Sequence, residues 1–133
     1  MQQYARKQTA TLLRRLAFQV SRAEGLGDAD AVHDLRVAIR RFSRCLRVFS
    51  QFYPGRHWKK IRLHLRELMR AAGAVRDLDI TLDLLGPAGS RSSSEIATHI
   101  REERRKAADR LSHELRLWKS RGYSKRWRTR LGL

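Results

Sequence analysis

Titratable side chains recur at intervals of three and four residues along one segment of the chain. They are His33, Arg36, Arg40, Arg44 and Arg47. In a helix, which turns by about 100° per residue, this spacing places all of them on one edge. Like charges one turn apart repel, so an ordinary solvated face mixes both signs. Guanidinium groups pair bidentately with phosphate oxygens, and we therefore interpret the row as a binding surface for a phosphate-bearing polyanion.

A second row of cations follows in the next segment, at the same spacing. It comprises Lys59, Arg62, Arg66 and Arg70. The two rows lie about 130° and about 125° from the apolar stripes of their own segments, in the same rotational sense. The short turn at Pro54-Gly55 makes the segments antiparallel neighbours, and equal offsets then bring both rows to the same side. We predict one continuous basic surface that is two helices wide.

Three aspartates, Asp77, Asp79 and Asp83, follow these rows and raise the question of a metal site. Clustered carboxylates suit hard cations, but only Asp79 and Asp83 share a helix face, and no Glu or His joins them locally. We therefore predict no metal site here. Asp77 and Asp79 are instead expected to pair with arginines, with Asp77 orienting one of them bidentately, while Arg76 points to the basic surface.

The elements that carry these side chains are expected to be helices. Apolar residues repeat at helical spacing, strand alternation is absent, and Pro54 and Pro87 fall between the periodic segments. We predict helices over residues 4–23, 31–52, 56–85 and 95–120, followed by a short basic tail. Asp30 should cap the second helix after a break at residues 25–28, and the Gly- and Ser-rich residues 86–94 should form a flexible linker. This order predicts an all-α fold: a single domain over residues 1–133, built as an antiparallel four-helix bundle with long amphipathic helices.

Composition favours a polyanion as the partner and excludes several other classes of protein. The 133 residues carry a formal charge of +17, and 24 of the 30 basic residues are arginine. A lone cysteine, Cys45, excludes an internal disulfide framework and a cysteine-based zinc site, and it fits a reducing cytoplasm. No uncharged stretch is long enough for membrane insertion, and there is no G-x-S-x-G motif, P-loop or Cys–His arrangement. We predict no catalytic residue, no metal and no cofactor.

Two motifs in these segments resemble those of a known family, the conserved histidine α-helical domain (CHAD). The run VHDLRVAIRRFSRCLRVF is similar to the family pattern V-H-x-x-R-V-x-x-R-R-x-R, and LRELMRAAGAVRDLDITLDLL contains an R-D-x-D segment like that of the family. The matching residues are His33, Arg36, Arg40, Arg41, Arg76, Asp77 and Asp79. Ser43 departs from the pattern, which often has a basic residue there, and Arg44 stands beside it. The resemblance covers most of the chain.

The resemblance implies an all-helical module that binds inorganic polyphosphate and associates with polyphosphate granules in the cytoplasm. Family members usually comprise two four-helix bundles related by pseudo-twofold symmetry, with a basic channel between them, whereas this chain matches only the first bundle. We therefore predict a homodimer that rebuilds the channel by an isologous contact. Relatives fused to a triphosphate tunnel domain carry a Glu-x-Glu-x-Lys signature. This sequence has no Glu-x-Glu pair, so we expect no triphosphatase activity.

Together these observations predict a non-enzymatic module that binds phosphate or inorganic polyphosphate. The predicted contacts are His33, Arg36, Arg40, Arg41, Arg44, Arg47, Arg62, Arg66, Arg70 and Arg76. A phosphate contact would favour the protonated form of His33, so binding would strengthen at mildly acidic pH. The alternative is a DNA- or RNA-binding helical protein, since charge alone does not separate the two ligands. The predicted stripes lack the stacking aromatics and the Asn or Gln with which nucleic-acid modules read bases.

Overall fold

The structure, a computed structural model, describes residues 1–86 and 94–133. The predicted linker lies outside the described residues, apart from its first and last positions. The described residues form five α-helices and no strand, which confirms the all-α class. The helices are α1 (Gln2–Leu26), α2 (Ala29–Val48), α3 (His57–Leu84), α4 (Glu95–Ser120) and α5 (Tyr123–Leu131).

The boundary between α1 and α2 is shorter than the sequence predicts. Helix α1 continues through Gly25 and Leu26, and it ends at Gly27, whose φ of 63° is readily adopted only by glycine. Helix α2 is capped by Asp28, whose carboxylate accepts a hydrogen bond from the backbone N–H of Ala31 at 2.8 Å. The prediction of Asp30 as the cap was wrong, because the left-handed glycine stops α1 so late that the cap must follow at once.

The connection from α2 to α3 is anchored in the interior. Helix α2 ends at Val48 rather than near Phe52, and a 3-10 helix follows over Ser50–Phe52. Tyr53, which the sequence places in a turn, is 4% exposed, and its hydroxyl shares a hydrogen bond with the buried hydroxyl of Thr9. Thr9 in turn donates to the carbonyl oxygen of Ala5 at 2.7 Å, so the turn is tied to α1. Burial raises the pKa of the Tyr53 hydroxyl and of the neighbouring Cys45 thiol.

The predicted basic tail is in fact a helix. Trp127 and Leu131 of α5 lie one turn apart and are both buried, while the arginines of α5 occupy its other positions. The Trp127 ring stacks on Phe42 with ring centroids 6.2 Å apart and meets Trp118 edge-on at 5.5 Å. Trp127 and Leu131 therefore form an apolar inner face of α5, and this face packs the C-terminal segment against the core.

The long helices pack around one hydrophobic core. Helix α1 contacts α2 and α4, helix α3 also contacts α2 and α4, and α5 lies against α1, α3 and α4. The predicted apolar stripe of α2 faces inward, with Val32, Leu35, Phe42 and Leu46 fully buried. Helix α2 packs between α1 and α3. Its polar side chains therefore lie along two edges, one beside α1 and one beside α3.

Candidate functional site

The two rows of arginines meet along the edge where α2 packs against α3. On α2, Ile39 is 2% exposed and precedes Arg40, and on α3, Leu65 is 1% exposed and precedes Arg66. These apolar side chains enter the core and orient both helices. The residue that follows each of them is rotated by about 100° and therefore emerges at the rim of the helix contact.

A groove of about 510 Å³ runs along this rim, and it is termed here the α2/α3 groove. Its apolar lining comes from Ile39, Leu65 and Met69. Its basic lining comprises Arg40, Arg44 and Arg47 of α2 with Arg62, Arg66 and Arg70 of α3. Each row spans roughly 11 to 12 Å of helix. The structure thus brings six of the ten predicted contact residues to one groove.

Ser43 links the two sides of the groove, a role that the sequence analysis missed. Its Oγ accepts a hydrogen bond from Nε of Arg62 at 3.1 Å, across the interface between α2 and α3. The family pattern often has a basic residue at this position, which would repel Arg62 rather than accept from it. The sequence did contain a sign of this contact, namely the departure of Ser43 from the family pattern. A small hydrogen-bond acceptor in an otherwise basic row suggests that a donor such as Arg62 lies nearby.

Among the described residues, the six guanidinium groups of the groove have no acidic partners. Within residues 1–86 and 94–133, none of them forms an ion pair with a carboxylate. Five are exposed, and Arg62 is partly buried. Unpaired cations on facing rows reinforce one another and produce a positive potential, which a bound anion would neutralise.

Helix α4 behaves differently, because Arg105 and Lys106 pair with acids of the same helix. Arg105 donates to Glu102 at 2.6 Å and to Asp109 at 3.1 Å, and Lys106 lies 3.6 Å from Glu103. The hydrogen bond from Arg105 lowers the pKa of Glu102. These exposed pairs form an ordinary solvated surface with little net field, as the mixed sequence of this helix suggests.

Four predicted contact residues do not line the α2/α3 groove. Arg41 follows Arg40 directly, so the helix turns it away by about 100° toward α1, where it lines a different groove. His33 is exposed on the N-terminal half of α2, while Arg36 and Arg76 are partly buried. The Nε of Arg36 is buried and finds no hydrogen-bond partner within the part of the chain that the structure describes.

Of the two aspartates of α3 that were predicted to pair with arginines, Asp79 does so. Asp79 accepts from Nε of Arg104 at 2.9 Å and from its Nη2 at 3.4 Å, and the same Nη2 donates to the carbonyl oxygen of Gly27 at 2.9 Å. This clip joins α3, α4 and the end of α1. Asp77 was predicted to orient an arginine, but it is exposed and forms no ion pair among the described residues. Two residues differ by about 200° around a helix, so only one of these aspartates faces α4.

Two negative findings apply to the part of the chain that the structure describes. No group of three or more His, Cys, Asp or Glu side chains there is arranged to hold a metal ion. None of its helices combines the length and the apolar character needed to cross a membrane.

Comparison with known proteins identifies one relationship. The family model described as CHAD domain matches residues 3–132, which is nearly the whole chain. No curated protein and no solved structure matches significantly.

Proposed function

The chain belongs to the CHAD domain family, and from this membership and the groove geometry we propose that it binds inorganic polyphosphate in the α2/α3 groove. The family is linked to polyphosphate binding in general. The observation that carries the proposal is the set of six arginines that line one groove without an acidic partner among the described residues.

The spacing of these arginines suits a linear phosphate chain. Successive members of each row stand about one helical turn, or roughly 5.4 Å, apart, and the two rows flank a common groove. A polyphosphate chain carries closely spaced charge along its whole length, so every arginine finds oxygens with which to form charge-assisted hydrogen bonds. In the free protein the exposed guanidinium groups remain hydrated. The bound ligand then supplies the negative charge that neutralises them.

The lining of the groove favours polyphosphate over the alternative, DNA or RNA. Its residues other than arginine are Ile39, Ser43, Leu65 and Met69. None of these is an aromatic ring on which a base could stack, or an Asn or Gln that could read a base edge. Contacts to phosphate alone would give nucleic-acid binding without sequence preference.

We also propose that binding is not accompanied by catalysis. The groove lining contains no carboxylate, His or Cys that could act as a general base or hold a metal. The hydroxyl among its described lining residues, that of Ser43, accepts a hydrogen bond from Arg62, and no carboxylate or imidazole is among those residues. Release of phosphate from polyphosphate by the purified chain with magnesium or manganese would contradict this part of the proposal.

At the level of assembly, we infer that α1 to α4 form an antiparallel four-helix bundle and that two copies associate around polyphosphate. The contacts of α1 with α2 and α4, and of α3 with α2 and α4, support the bundle.

An isologous dimer would place two α2/α3 grooves around one ligand, and the negative charge of the ligand would relieve the repulsion between the two grooves. Recruitment to polyphosphate granules would follow. A monomer at tens of micromolar, with and without polyphosphate, would contradict the dimer.

The central test compares two double variants that lose the same charge. Arg40→Ala with Arg66→Ala removes one guanidinium from each row of the groove, whereas Arg14→Ala with Arg110→Ala removes two exposed arginines outside it. In a polyphosphate titration, we expect the groove variant to lose at least about tenfold in affinity and the control less than about threefold. Circular dichroism and melting temperature should stay near those of the parent for both.

The outcome that would reject the proposal is an equal loss for both variants, because binding would then depend on net charge alone. A competition experiment separates the two ligands. If duplex DNA or RNA displaces polyphosphate at equal phosphate concentration, the nucleic-acid alternative is the correct one.

A further inference from the structure

A second groove lies on the opposite edge of α2, between α2 and α1. It is formed by two adjoining depressions of about 500 and 350 Å³, which share Leu12 and Arg41. On α1 its lining runs from Tyr4 to Gln19, a length of roughly 22 Å. This α1/α2 groove therefore has about the length of a four-turn helix.

The α1/α2 groove is apolar in its depth and along parts of its rim. Ala38 and Cys45 are 9% and 8% exposed and lie deep in it, next to the partly buried Leu12. On the rim, Phe18 and Val48 are 65% and 70% exposed. Large solvent-exposed apolar side chains beside a recess are typical of a surface that binds another molecule. They contribute nothing to the binding of a polyphosphate chain, which has no apolar part.

The charge of the α1/α2 groove restricts what can occupy it. Its cations are Arg14, Arg15, Arg41 and Arg44. Its one acidic lining residue, Asp34, is already paired with Arg22. An occupant that buries its apolar side chains here must therefore bring negative charge to the rim, because a neutral or basic one would leave the arginines uncompensated.

We infer that the α1/α2 groove binds an amphipathic helix of a partner protein, in which acidic residues flank an apolar stripe. Such a helix would lay Leu- or Ile-type side chains against Leu12 and Phe18 and place Glu or Asp beside Arg14, Arg15 and Arg41. This site lies on the other edge of α2 from the α2/α3 groove, with Arg44 as the one described lining residue that the two share. Binding here does not depend on polyphosphate binding.

Two other occupants fit the observations less well. A second copy of the chain that docked isologously would bring the same arginines opposite themselves, and like charges across an interface are unfavourable. A flat bilayer surface could contact Phe18 and Val48, but it would not fill the recess above Ala38 and Cys45. A peptide helix is narrow enough to enter the recess.

The inference can be tested with a synthetic peptide of about 18 residues. The peptide has Leu at helical spacing of three and four with Glu on both flanks, and its control has the same composition in an order that disperses the leucines. Fluorescence anisotropy should show the amphipathic peptide binding at least about tenfold more tightly than its control. Phe18→Ser, which changes an exposed side chain and no charge, should weaken that binding at least about fivefold.

A charge exchange tests the electrostatic part of the inference. Arg14→Glu with Arg15→Glu reverses two exposed charges of the rim, so it should weaken binding of the Glu peptide. A peptide in which Lys replaces every Glu should bind this variant more tightly than it binds the parent. Only a direct contact between rim and peptide predicts both changes.

Cross-controls keep this inference distinct from the proposed function. Phe18→Ser should leave polyphosphate affinity unchanged, and Arg40→Ala with Arg66→Ala should leave peptide affinity unchanged. Equal binding of the two peptides, or no effect of Phe18→Ser, would overturn the inference. It would also be overturned if phosphatidylglycerol vesicles displaced the peptide, or if the chain formed a dimer that Phe18→Ser dissociates.

Discussion

The arginines of this chain differ from one another in whether a carboxylate is within reach. Arg104 and Arg22 meet Asp79 and Asp34, and each such pair joins two helices. The arginines of the α2/α3 groove meet no acid among the described residues. Since all arginines carry the same charge at neutral pH, the positions of the few acids decide which of them stabilise the fold and which stay available for a ligand.

Arg36 has a buried Nε that finds no hydrogen-bond partner among the described residues, as do the ring nitrogens of Trp118 and Trp127. A buried unsatisfied donor costs about 1 to 3 kcal/mol. Arg36→Met keeps the length of the side chain and removes the donor, so we expect the melting temperature to stay equal or rise. A clear fall in melting temperature would assign Arg36 to the fold instead. Thermal unfolding followed by circular dichroism is the measurement.

Asp79 and Asp77 form a matched pair for testing the clip on Arg104. The side chain of Asp79 is 12% exposed, and its loss would leave Arg104 without its carboxylate. Because the pair is partly exposed, we expect Asp79→Ala to lower the free energy of unfolding by about 1 to 3 kcal/mol. Asp77→Ala should change it by less than about 0.5 kcal/mol. Urea denaturation measures both, and a similar loss for the two would contradict the assignment.

At the level of whole helices, the start of α2 offers an equally direct comparison. The carboxylate of Asp28 accepts from the backbone N–H of Ala31, whereas Asp30 lies in the first turn and only faces the positive end of the helix dipole. We expect Asp28→Ala to lower the free energy of unfolding by about 1 kcal/mol and Asp30→Ala by a few tenths. The reverse order in chemical denaturation would show that Asp30 is the cap after all.

Helix α5 is expected to be part of the core rather than an appendage. Trp127 is 1% exposed and packs against Phe42, Trp118 and Tyr123. Trp127→Ala should therefore lower the free energy of unfolding by about 3 to 5 kcal/mol, a large part of the usual total for a small domain. Arg130→Ala, an exposed change on the same helix, is the control and should have little effect. If the Trp127 variant unfolds at the same denaturant concentration as the control, α5 does not belong to the core.

For the molecule as a whole, the charge of +17 predicts a strong effect of salt on polyphosphate binding. Each guanidinium that neutralises a phosphate releases a condensed counterion, as in nucleic-acid binding. With six groove arginines, the slope of log affinity against log salt concentration should be about −4. For Arg40→Ala with Arg66→Ala it should become shallower by about 1.4. A slope that is the same in parent and variant would mean that these two side chains do not contact phosphate.

The sequence by itself determined the properties that depend on periodicity along one helix. The all-α class follows from the spacing of apolar residues, and so does the inward face of α2. The positions of Arg40, Arg44 and Arg47 on one edge follow from the same 3.6-residue repeat, which is a local property of the backbone. For the same reason Arg62, Arg66 and Arg70 could be assigned to one edge of α3 before their neighbours were known.

Only the tertiary structure decided which side chains meet across helices. It placed Asp79 rather than Asp77 against Arg104, and it turned Arg41 toward α1. It also buried Tyr53 and Trp127, which the sequence had assigned to a turn and a tail. The neighbours of these residues are distant in the chain, and a small rotation of a helix exchanges one neighbour for another. Helical periodicity therefore specifies the face on which a residue lies, while packing specifies what that face contacts.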